Sequence, residues 1–390
     1  MNKKKLMAFG CLGLFVVLAG ILLVLWLQFR QQVNFAGFQG SGSETNLMLP
    51  PGFAANVYAQ GLNQPRFIYT GPDGAIYVAE RGNGRILRLP DQDQNGIADS
   101  TQIFADDLAS PHSLVYHEGA WYIGVPSGVI RLVDEDGDGT ADSRTTLIDD
   151  FPTTGSHSTR TVEFLPDGRL VVSIGSSCNV CEEDDPRRAG IVVYDNAQAE
   201  GAAIFAQGLR NAVGLTIHPQ TGELWATNNG RDLLGDDLPP ETVYIVREGQ
   251  HYGWPHCHNG HIIDPDFGSE GACASVPTPV AEMQAHSAPL GLVFYTGSLF
   301  PAEYQNDLFI AFHGSWNRSV PTGYKVVRLP LDGSTPTGPV QDFATGWLTG
   351  DNFEVNGRPV GLTVGADGAL YISDDKGGYI YRIYYEETGD

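Results

Sequence analysis

The amino-acid sequence predicts an all-β protein, a six-bladed β-propeller with an N-terminal transmembrane helix. Three observations support this fold class. A turn-and-strand phrase occurs six times, glycine and proline account for 48 and 24 of the 390 residues, and a long apolar run stands near the start. Radial repetition of small antiparallel sheets explains the first two features, and a membrane-spanning helix explains the third. A ring of six blades uses most of this length, so we expect one large domain.

The N-terminal region predicts a signal anchor. Lys3, Lys4 and Lys5 precede an uncharged, almost wholly apolar run that is long enough to cross a bilayer as a helix. Positive residues on the short leading side favour a cytoplasmic N-terminus and an extracytoplasmic body at the cell membrane. A cleaved signal peptide is the alternative, although the residues that follow form a poor cleavage site. The predicted divisions are a cytoplasmic N-terminus at 1–5, a transmembrane signal-anchor helix at 6–27, a flexible linker at 28–48 and the propeller at 49–390.

The repeated phrase is a turn followed by a strand of small or polar residues alternating with β-branched or aromatic ones. Its copies occupy residues 72–78, 117–123, 166–172, 219–225, 304–310 and 366–372. Measured between their glycines Gly74, Gly119, Gly168 and Gly222, the first four copies are 45, 49 and 54 residues apart, which fits four strands per blade, and the next interval of 85 residues, to Asp307, predicts an insertion. The strand-like segments 54–58 and 379–385 are candidates for closing the ring within the last blade.

Charge and cysteine content limit the partners and the compartment. The chain has 46 acidic and 23 basic residues, a formal charge of -23, which disfavours nucleic acid and anionic membrane surfaces as partners. Four cysteines follow the apolar run, an even number that is consistent with two disulfides in an oxidising compartment. Cys178-x-x-Cys181 also fits a redox or zinc motif. Cys257 and Cys273 would close a loop within the insertion.

Two loops have the spacing of a calcium site. Each alternates oxygen-bearing side chains around a turning glycine, as hard cations require, but lacks the glutamate at the twelfth position of an EF-hand. The candidate ligands are Asp91, Asp93, Asn95 and Asp99 in the first loop and Asp134, Asp136, Asp138 and Asp142 in the second. The loops are offset by 43 residues, one blade, so we expect structural Ca²⁺ at matched positions. An acidic turn without metal is the alternative.

Four blades carry a histidine or an arginine just before the innermost strand. These residues are His112, His157, Arg210 and Arg358. At the mouth of the central channel they would direct proton-accepting or cationic groups toward one axis. In an acidic protein, converging arginines suggest an anionic ligand held by charge-assisted hydrogen bonds.

Taken together, several motifs make most of the chain after about residue 48 resemble a known family. The motifs are Gln64-Pro65-Arg66 with Val78-Ala79-Glu80-Arg81, His157 nine residues before Pro166, Gly208-Leu209-Arg210-Asn211, Tyr252-Gly253-Trp254-Pro255, His286-Ser287-Ala288-Pro289-Leu290-Gly291 and His313-Gly314-Ser315-Trp316-Asn317-Arg318. They resemble the soluble quinoprotein sugar dehydrogenases, including the sorbosone and glucose dehydrogenase-like branches. These enzymes bind pyrroloquinoline quinone on a six-bladed propeller.

The resemblance implies a role for each matching residue. His157 would be the general base that removes the substrate hydroxyl proton while hydride passes to the quinone, and Arg210 would stabilise charge developing on the quinone carbonyls. The cofactor-binding set would be His112, Asn211, Gly230, Arg231, His313 and Arg358, with main-chain carbonyls at 229–231 holding a Ca²⁺ that also contacts the quinone. Glu241 and Tyr252 match a second, structural Ca²⁺ site.

Three positions depart from the glucose enzymes. Ser176 replaces the aspartate behind the catalytic histidine, so an orienting carboxylate must come from Glu182 or Glu183 or be absent. Arg231 replaces a proline, and His313 replaces a cofactor-binding lysine. These departures favour the sorbosone-like branch, or another sugar or alcohol, over glucose.

The sequence thus predicts a membrane-tethered, calcium- and quinone-dependent dehydrogenase that oxidises a sugar or related hydroxyl or aldose compound outside the cytoplasm. The sequence contains no C-x-x-C-H haem motif, so an external electron acceptor is required. The alternatives are a calcium-dependent lactonase-like hydrolase, which needs carboxylates converging on the axis, and a non-catalytic propeller that binds a partner.

Overall fold

Six β-sheets of four or five strands form the framework of the part of the chain that the structure, a computed structural model, describes: residues 45–350 and 352–386. Their strands pair antiparallel apart from one short parallel pair at an edge, and they follow chain order outward from the innermost strand except in the last sheet, whose outermost strand comes from the start of the propeller. The innermost strands of successive sheets contact one another around a closed circle. This is the predicted six-bladed propeller.

The strands run in chain order from blade 1 to blade 6. The first strand, β1 (Phe53–Gln60), precedes blade 1, which contains β2 (Pro65–Thr70), β3 (Ile76–Glu80), β4 (Arg85–Leu89) and β5 (Gln102–Ala105). Blade 2 contains β6 (Ser113–His117), β7 (Ala120–Val125), β8 (Gly128–Val133) and β9 (Ser143–Ile148). Blade 3 contains β10 (Arg160–Phe164), β11 (Leu170–Ile174), β12 (Gly190–Tyr194) and β13 (Ala203–Gln207).

Blade 4 contains β14 (Leu215–Ile217), β15 (Leu224–Asn228), β16 (Glu241–Val246) and, numbered after the insertion strands, β20 (Ala281–Met283). The insertion between β16 and β20 holds β17 (Gln250–His251), which pairs parallel with β13 at the edge of the blade 3 sheet, and a hairpin of β18 (Cys257–His258) and β19 (Ile262–Ile263). Blade 5 contains β21 (Pro289–Phe294), β22 (Leu308–Phe312), β23 (Lys325–Leu329), a hairpin of β24 (Leu331–Asp332) and β25 (Thr335–Pro336), and β26 (Gln341–Ala344). A hairpin of β27 (Leu348–Thr349) and β28 (Glu354–Val355) precedes blade 6, with β29 (Pro359–Val364), β30 (Leu370–Asp374) and β31 (Tyr379–Tyr385).

The helical content of the described residues is confined to two short 3-10 helices, Arg81–Asn83 and Ala302–Tyr304. No helix among them has the length and apolar character that crossing a bilayer requires. The predicted N-terminus 1–5 and transmembrane helix 6–27 lie outside the described residues.

The ring closes as predicted, through strands from the two ends of the propeller. β1 pairs antiparallel with β31 and so becomes the outermost strand of blade 6. The propeller starts slightly before the predicted residue 49, because Met48 forms a bridge with Thr345 and the side chain of Leu47 packs against the hydrophobic core.

The core lies between blades. The second strand of a blade comes from the repeated phrase, and in β3, β7, β11, β22 and β30 every residue is buried. Both faces of each sheet are covered by neighbouring blades, so the strict apolar-polar alternation of a half-exposed strand is not required. Seven hydrophobic clusters fill these spaces.

Strand direction divides the loops between two faces of the ring. The upper face is where each innermost strand begins, and it therefore also holds the loops between second and third strands. The lower face holds the turns of the repeated phrase and the loops between third and fourth strands. Residues placed just before innermost strands consequently meet on the upper face, and the two acidic loops lie on the lower face.

Candidate active site

His157 lies on the upper face, three residues before β10, and its side chain is anchored by Ser176. The Nδ1 atom is 2.8 Å from the Ser176 carbonyl oxygen and 3.0 Å from Ser176 Oγ. A carbonyl oxygen only accepts, so Nδ1 carries the hydrogen and Nε2 is left as the basic nitrogen. Burial, followed by the positive charge of Arg210, lowers the pKa of His157 to about 4. The imidazole is therefore neutral near pH 7, as a base must be.

Glu182 and Glu183 were predicted as possible orienting carboxylates for His157. In the described structure both are bound elsewhere. Glu183 accepts a hydrogen bond from Ser177 N at 2.6 Å, and Glu182 faces His256 at 3.2 Å. The Glu183 side chain is therefore bound within its own loop, and the Glu182 side chain is paired with a histidine of the insertion. The Ser176 carbonyl fixes the tautomer in place of an aspartate.

Arg210 precedes β14 and is held in a polar cradle. Its side chain is buried, with 4% of the residue exposed. Nη2 donates to Asp232 Oδ2 at 2.9 Å and to Asn179 Oδ1 at 3.0 Å, and Nε donates to the Asn179 carbonyl at 2.9 Å. Nη1 reaches the Asn229 carbonyl at 3.4 Å. These contacts fix the plane of the guanidinium beside the His157 loop.

Gly175 brings His157 and Asn211 together. A Cβ at this glycine would lie 2.5 Å from both Asn211 Oδ1 and His157 Cβ, closer than real side chains approach. The absence of a side chain at Gly175 is therefore what allows the predicted base and the predicted cofactor-binding amide to stand side by side. Any larger residue would force them apart.

A second polar cluster joins four blades across the ring. Asp375 accepts from Arg66 Nη1 at 2.5 Å and faces His313 Nε2 at 3.0 Å. Arg66 Nε contacts His112 Nδ1 at 3.3 Å, and Arg358 Nη1 lies 3.4 Å from His313 Nδ1. The structure thus brings together three of the predicted cofactor-binding residues.

Burial perturbs this second cluster strongly. Burial, aided by the charge of Arg66, lowers the pKa of His112 well below its ordinary value. Its Nε2 is buried and has no hydrogen-bond partner among the described residues. Burial also lowers the pKa of His313, and its hydrogen bond to the Asp375 carboxylate acts in the opposite direction. Apart from Asp375, the cluster consists of cationic or neutral side chains.

The side chain of Arg231 is directed to the insertion, a placement that its assignment to the cofactor did not anticipate. Nη1 donates to Asp264 at 2.5 Å and Nη2 to Asp266 at 2.5 Å. His258 Nε2 is 2.9 Å from Asp264 on the same carboxylate. Both terminal nitrogens of the guanidinium are engaged in ion pairs with the insertion, and Nε is buried without a partner among the described residues, so the charged end of this side chain is directed away from the predicted cofactor.

The side-chain oxygens of Glu241 and Tyr252, predicted to match a second Ca²⁺ site, have different hydrogen-bond partners at the two ends of β16. The buried Glu241 carboxylate accepts from Gly230 N at 2.7 Å, at the upper end of β16. The Tyr252 hydroxyl donates to the Ile245 carbonyl at 2.8 Å, at the lower end of the same strand. Four residues of extended strand separate the two ends by about 13 Å. Burial raises the pKa of Glu241 to about 7.

The two acidic loops have matching conformations on the lower face. Carboxylate oxygens of Asp91, Asp93 and Asp99 lie within 4.8 Å of one another, as do those of Asp134, Asp136 and Asp138. Asn95 binds Asp93 through its side chain, and Asp142 accepts from Glu135 N. Each loop also donates a main-chain hydrogen bond to the outer strand of the preceding blade, from Ala98 to Tyr58 and from Ala141 to Phe104.

Several residues of the two upper-face clusters were not assigned from the sequence. They are Arg66, Asn179, Asp232 and Asp375. Arg66 was visible as the counterpart of Arg358, since each adjoins a proline where an innermost strand begins. Asp375 directly follows β30, whose last residue, Asp374, matches Glu80 at the end of β3 in blade 1. The other two lie in loops of irregular length that carry no repeat signal.

The chain is similar to known proteins over nearly all of the described residues. A family model described as TrAA12-like matches residues 47–386. An uncharacterized protein of Borreliella burgdorferi is 32% identical over 360 residues, which cover 88% of this chain and 92% of that protein. A pyrroloquinoline quinone-dependent pyranose dehydrogenase of Coprinopsis cinerea is 28% identical over 403 residues, covering 85% of this chain and 54% of that enzyme, about half of its length.

A solved structure shares the fold. The holo form of the pyranose dehydrogenase PQQ domain from Coprinopsis cinerea superposes with a TM-score of 0.76 at 24% identity, covering 90% of this chain and 99% of that domain.

Proposed function

Because the chain belongs to the TrAA12-like family, whose model matches residues 47–386, we propose that it is a pyrroloquinoline quinone-dependent dehydrogenase. Its substrate is a sugar or a related hydroxyl compound, which it oxidises to the corresponding carbonyl. The similarity to the pyranose dehydrogenase of Coprinopsis cinerea supports this assignment. It agrees with the function that the sequence motifs predict.

One observation carries the proposal: a neutral, half-buried histidine, anchored through Nδ1 so that Nε2 is its basic nitrogen, stands beside a buried arginine. His157 is fixed through Nδ1, and Arg210 is fixed by Asn179 and Asp232. A base and a cation held in place are what the removal of a hydroxyl proton and the stabilisation of a developing negative charge require.

The second cluster has the chemistry to hold the cofactor. Carboxylates and carbonyl oxygens are bound by cationic donors, which the guanidinium groups of Arg66 and Arg358 supply, while Asp375 contacts Arg66 and His313 contacts Arg358. The buried, unpartnered Nε2 of His112 also fits a site for a polar ligand. Asn211, next to Gly175, would contact the cofactor from the side of the catalytic histidine.

The chain's own residues then divide the work. His157 Nε2 takes the proton of the substrate hydroxyl, and the Ser176 carbonyl stabilises the resulting imidazolium through Nδ1. Arg210 disfavours that charged form, so the proton passes readily to solvent. When bound, the quinone supplies the two-electron oxidation, and an external acceptor must later remove those electrons.

Calcium and location complete the proposal. We assign structural Ca²⁺ to the two lower-face loops, because three carboxylates converge in each. The disulfides Cys178–Cys181 and Cys257–Cys273 favour an oxidising, extracytoplasmic compartment.

Reconstitution tests the function directly. The full chain, stripped with chelator, is titrated with pyrroloquinoline quinone and Ca²⁺ and assayed with an artificial electron acceptor against a panel of sugars and alcohols. We expect quinone binding and dye reduction with at least one sugar.

The test variant is His157→Gln, and its matched control is His261→Gln, at an exposed histidine of the insertion. His157→Gln should lower kcat by about 100-fold or more while the quinone still binds, and His261→Gln should change neither quantity. A chain that binds no quinone would overturn the proposal.

A further inference from the structure

The loop between β11 and β12 contacts both proposed catalytic side chains. Ser176, near its start, binds His157 Nδ1, and Asn179 binds Arg210. Cys178 and Cys181 flank the asparagine and form a disulfide across a separation of three residues. One loop, closed covalently between Cys178 and Cys181, therefore contacts both the proposed base and the proposed cation.

Asn179 holds Arg210 at two points. The Asn179 carbonyl accepts from Nε at 2.9 Å, and its side-chain Oδ1 accepts from Nη2 at 3.0 Å. Asp232 accepts from Nη2 alone, at 2.9 Å. Without Asn179, the guanidinium would keep this contact and only the long one from Nη1 to the Asn229 carbonyl at 3.4 Å, whereas the short contact at Nε fixes its plane. The orientation of Arg210 therefore depends on Asn179 more than on its ion pair.

The same asparagine also fixes the partner carboxylate. Asp232 N donates to Asn179 Oδ1 at 2.8 Å, and Asn179 Nδ2 donates to the Asp232 carbonyl at 3.0 Å. Both hydrogen-bonding ends of the Asn179 amide are thus used, one toward Arg210 and Asp232 N, the other toward the Asp232 carbonyl. An aliphatic side chain could make neither set of contacts.

The turn itself is rigid for local reasons. Ser176 Oγ donates to the Cys178 carbonyl at 2.7 Å, and Ser177 N donates to Glu183 Oε1 at 2.6 Å. Trp254 of the insertion reaches the Asn179 carbonyl at 3.4 Å. With the disulfide, these contacts leave the short segment few alternative conformations.

We propose that Asn179, held in the Cys178–Cys181 turn, is the positioning residue that orients Arg210 for the reaction. The inference rests on the proposed function, since it states how that site holds its cation. It also gives the Cys178-x-x-Cys181 motif a structural purpose in place of a redox or zinc role.

The test compares Asn179→Ala with the unmodified chain and with Asp184→Ala, an exposed carboxylate of the same loop. Loss of a hydrogen bond to a charged group corresponds to about tenfold or more in an equilibrium or a rate. We expect Asn179→Ala to lower kcat by about 10- to 100-fold with little change in KM, because the change misplaces a catalytic group. The Kd of the apoprotein for the quinone, followed by tryptophan fluorescence, should rise by about tenfold. Asp184→Ala should match the unmodified chain.

A double-mutant cycle separates positioning from a general structural effect. In an Arg210→Lys background, Asn179→Ala should have little further effect on kcat or on the quinone Kd, since the group that it positions has already been replaced. Equal losses in the two backgrounds, or wild-type kcat and Kd in the single variant, would overturn the inference.

A third variant covers the case in which Asn179→Ala is unstable. Cys178→Ser with Cys181→Ser keeps the asparagine but opens the turn, and it should shift kcat and Kd in the same direction by a smaller factor. An opened turn with unchanged kcat and Kd would overturn the role of the disulfide. Failure of the unmodified chain to bind quinone would instead overturn the proposed function.

Discussion

His157 shows how burial and a neighbouring positive charge together can keep a histidine in its neutral, basic form. It has no carboxylate partner in the described structure, yet its tautomer is set by the Ser176 carbonyl and its charge is suppressed by burial and by Arg210. An ordinary histidine would be half protonated near pH 6.5.

We expect His157 to stay neutral through the mildly acidic range. Its pKa in the folded protein is about 4, below the ordinary value, so the basic form persists as the pH falls and is lost only near pH 4. Nuclear magnetic resonance titration of the cofactor-free chain, with His157→Gln to assign the resonance, measures this directly. A titration midpoint near 6.5 would contradict the predicted environment.

The Arg66–Asp375 pair should matter more to stability than an exposed pair of the same type. The two side chains are only 8% and 15% exposed, whereas those of Arg169 and Asp167 are 28% and 54% exposed. Asp375→Asn leaves a buried guanidinium without its counter-charge and should lower the free energy of unfolding by about 3 kcal/mol.

Asp167→Asn is the matched control and should cost less than about 1 kcal/mol. Urea denaturation measures both variants. Equal losses would show that burial of the Arg66–Asp375 pair has no special weight.

Among single residues, the sequence analysis singled out those that precede a copy of the repeated phrase, and it did not single out those in irregular loops. His157, Arg210 and Arg358 could be found because each stands at the same place before an innermost strand. Asn179 and Asp232 could not, because their loops have no counterpart in other blades and only the folded chain brings them to Arg210. The direction of the Arg231 side chain depends likewise on the insertion.

Among the elements, the two acidic loops have the clearest physical task. Each lies between the third and fourth strands of its blade and hydrogen-bonds to the outer strand of the preceding blade, Ala98 to Tyr58 and Ala141 to Phe104. A cation that stiffened these loops would strengthen two successive contacts between blades.

Calcium should therefore raise stability without entering the reaction. At a free Ca²⁺ concentration 100 times the Kd, each loop should add about 2.7 kcal/mol to the free energy of unfolding, a gain that chelator removes. Asp91→Asn and Asp134→Asn should each abolish one loop's share, and Asp149→Asn, at an exposed aspartate nearby, should abolish neither. Calorimetric scans with and without chelator provide the measurement. Identical melting temperatures in the two conditions would rule out metal at these loops.

The matching positions of the two acidic loops could be predicted from the sequence, because their spacing repeats at 43 residues and the spacing of candidate ligands is a local property. The partners of Glu241 and Tyr252 were not predictable from the sequence. The Glu241 carboxylate binds Gly230 N at the start of β16, and the Tyr252 hydroxyl reaches back from beyond that strand to the Ile245 carbonyl near its end.

For the whole molecule, closure of the ring depends on one added strand. β1 completes blade 6 beside β31, and Phe53 packs its ring against Phe300, Tyr304, Phe343 and Tyr385 at centroid distances of 4.7 to 5.1 Å. Through Phe53, the closing strand β1 packs against blade 5 as well as against β31 of blade 6.

Phe53→Ala should accordingly weaken the entire propeller rather than one blade. Truncating a packed phenylalanine costs about 3 kcal/mol at the lower end of its usual range, which suits a partly buried ring. A single cooperative unfolding transition at lower denaturant concentration is the expected result, monitored by circular dichroism and tryptophan fluorescence together. Separate transitions by the two probes would show that blade 6 opens independently. Phe353→Ala, at an exposed ring outside this cluster, is the control and should be nearly neutral.

The repeat predicted the ring, its number of blades and its closing strands, because radial symmetry leaves few other arrangements for six such phrases. It did not predict which loops would meet above the channel, since these vary in length from blade to blade.

Pairing of β1 with β31 also orders the protein's biosynthesis. The first strand to leave the ribosome must wait without its partner until β31 has been made, and every other blade can form in the meantime. The second polar cluster, which draws residues from blades 1, 2, 5 and 6, is complete only at that moment. Loading of the proposed quinone would therefore follow translation, in whichever compartment the last strand meets the first.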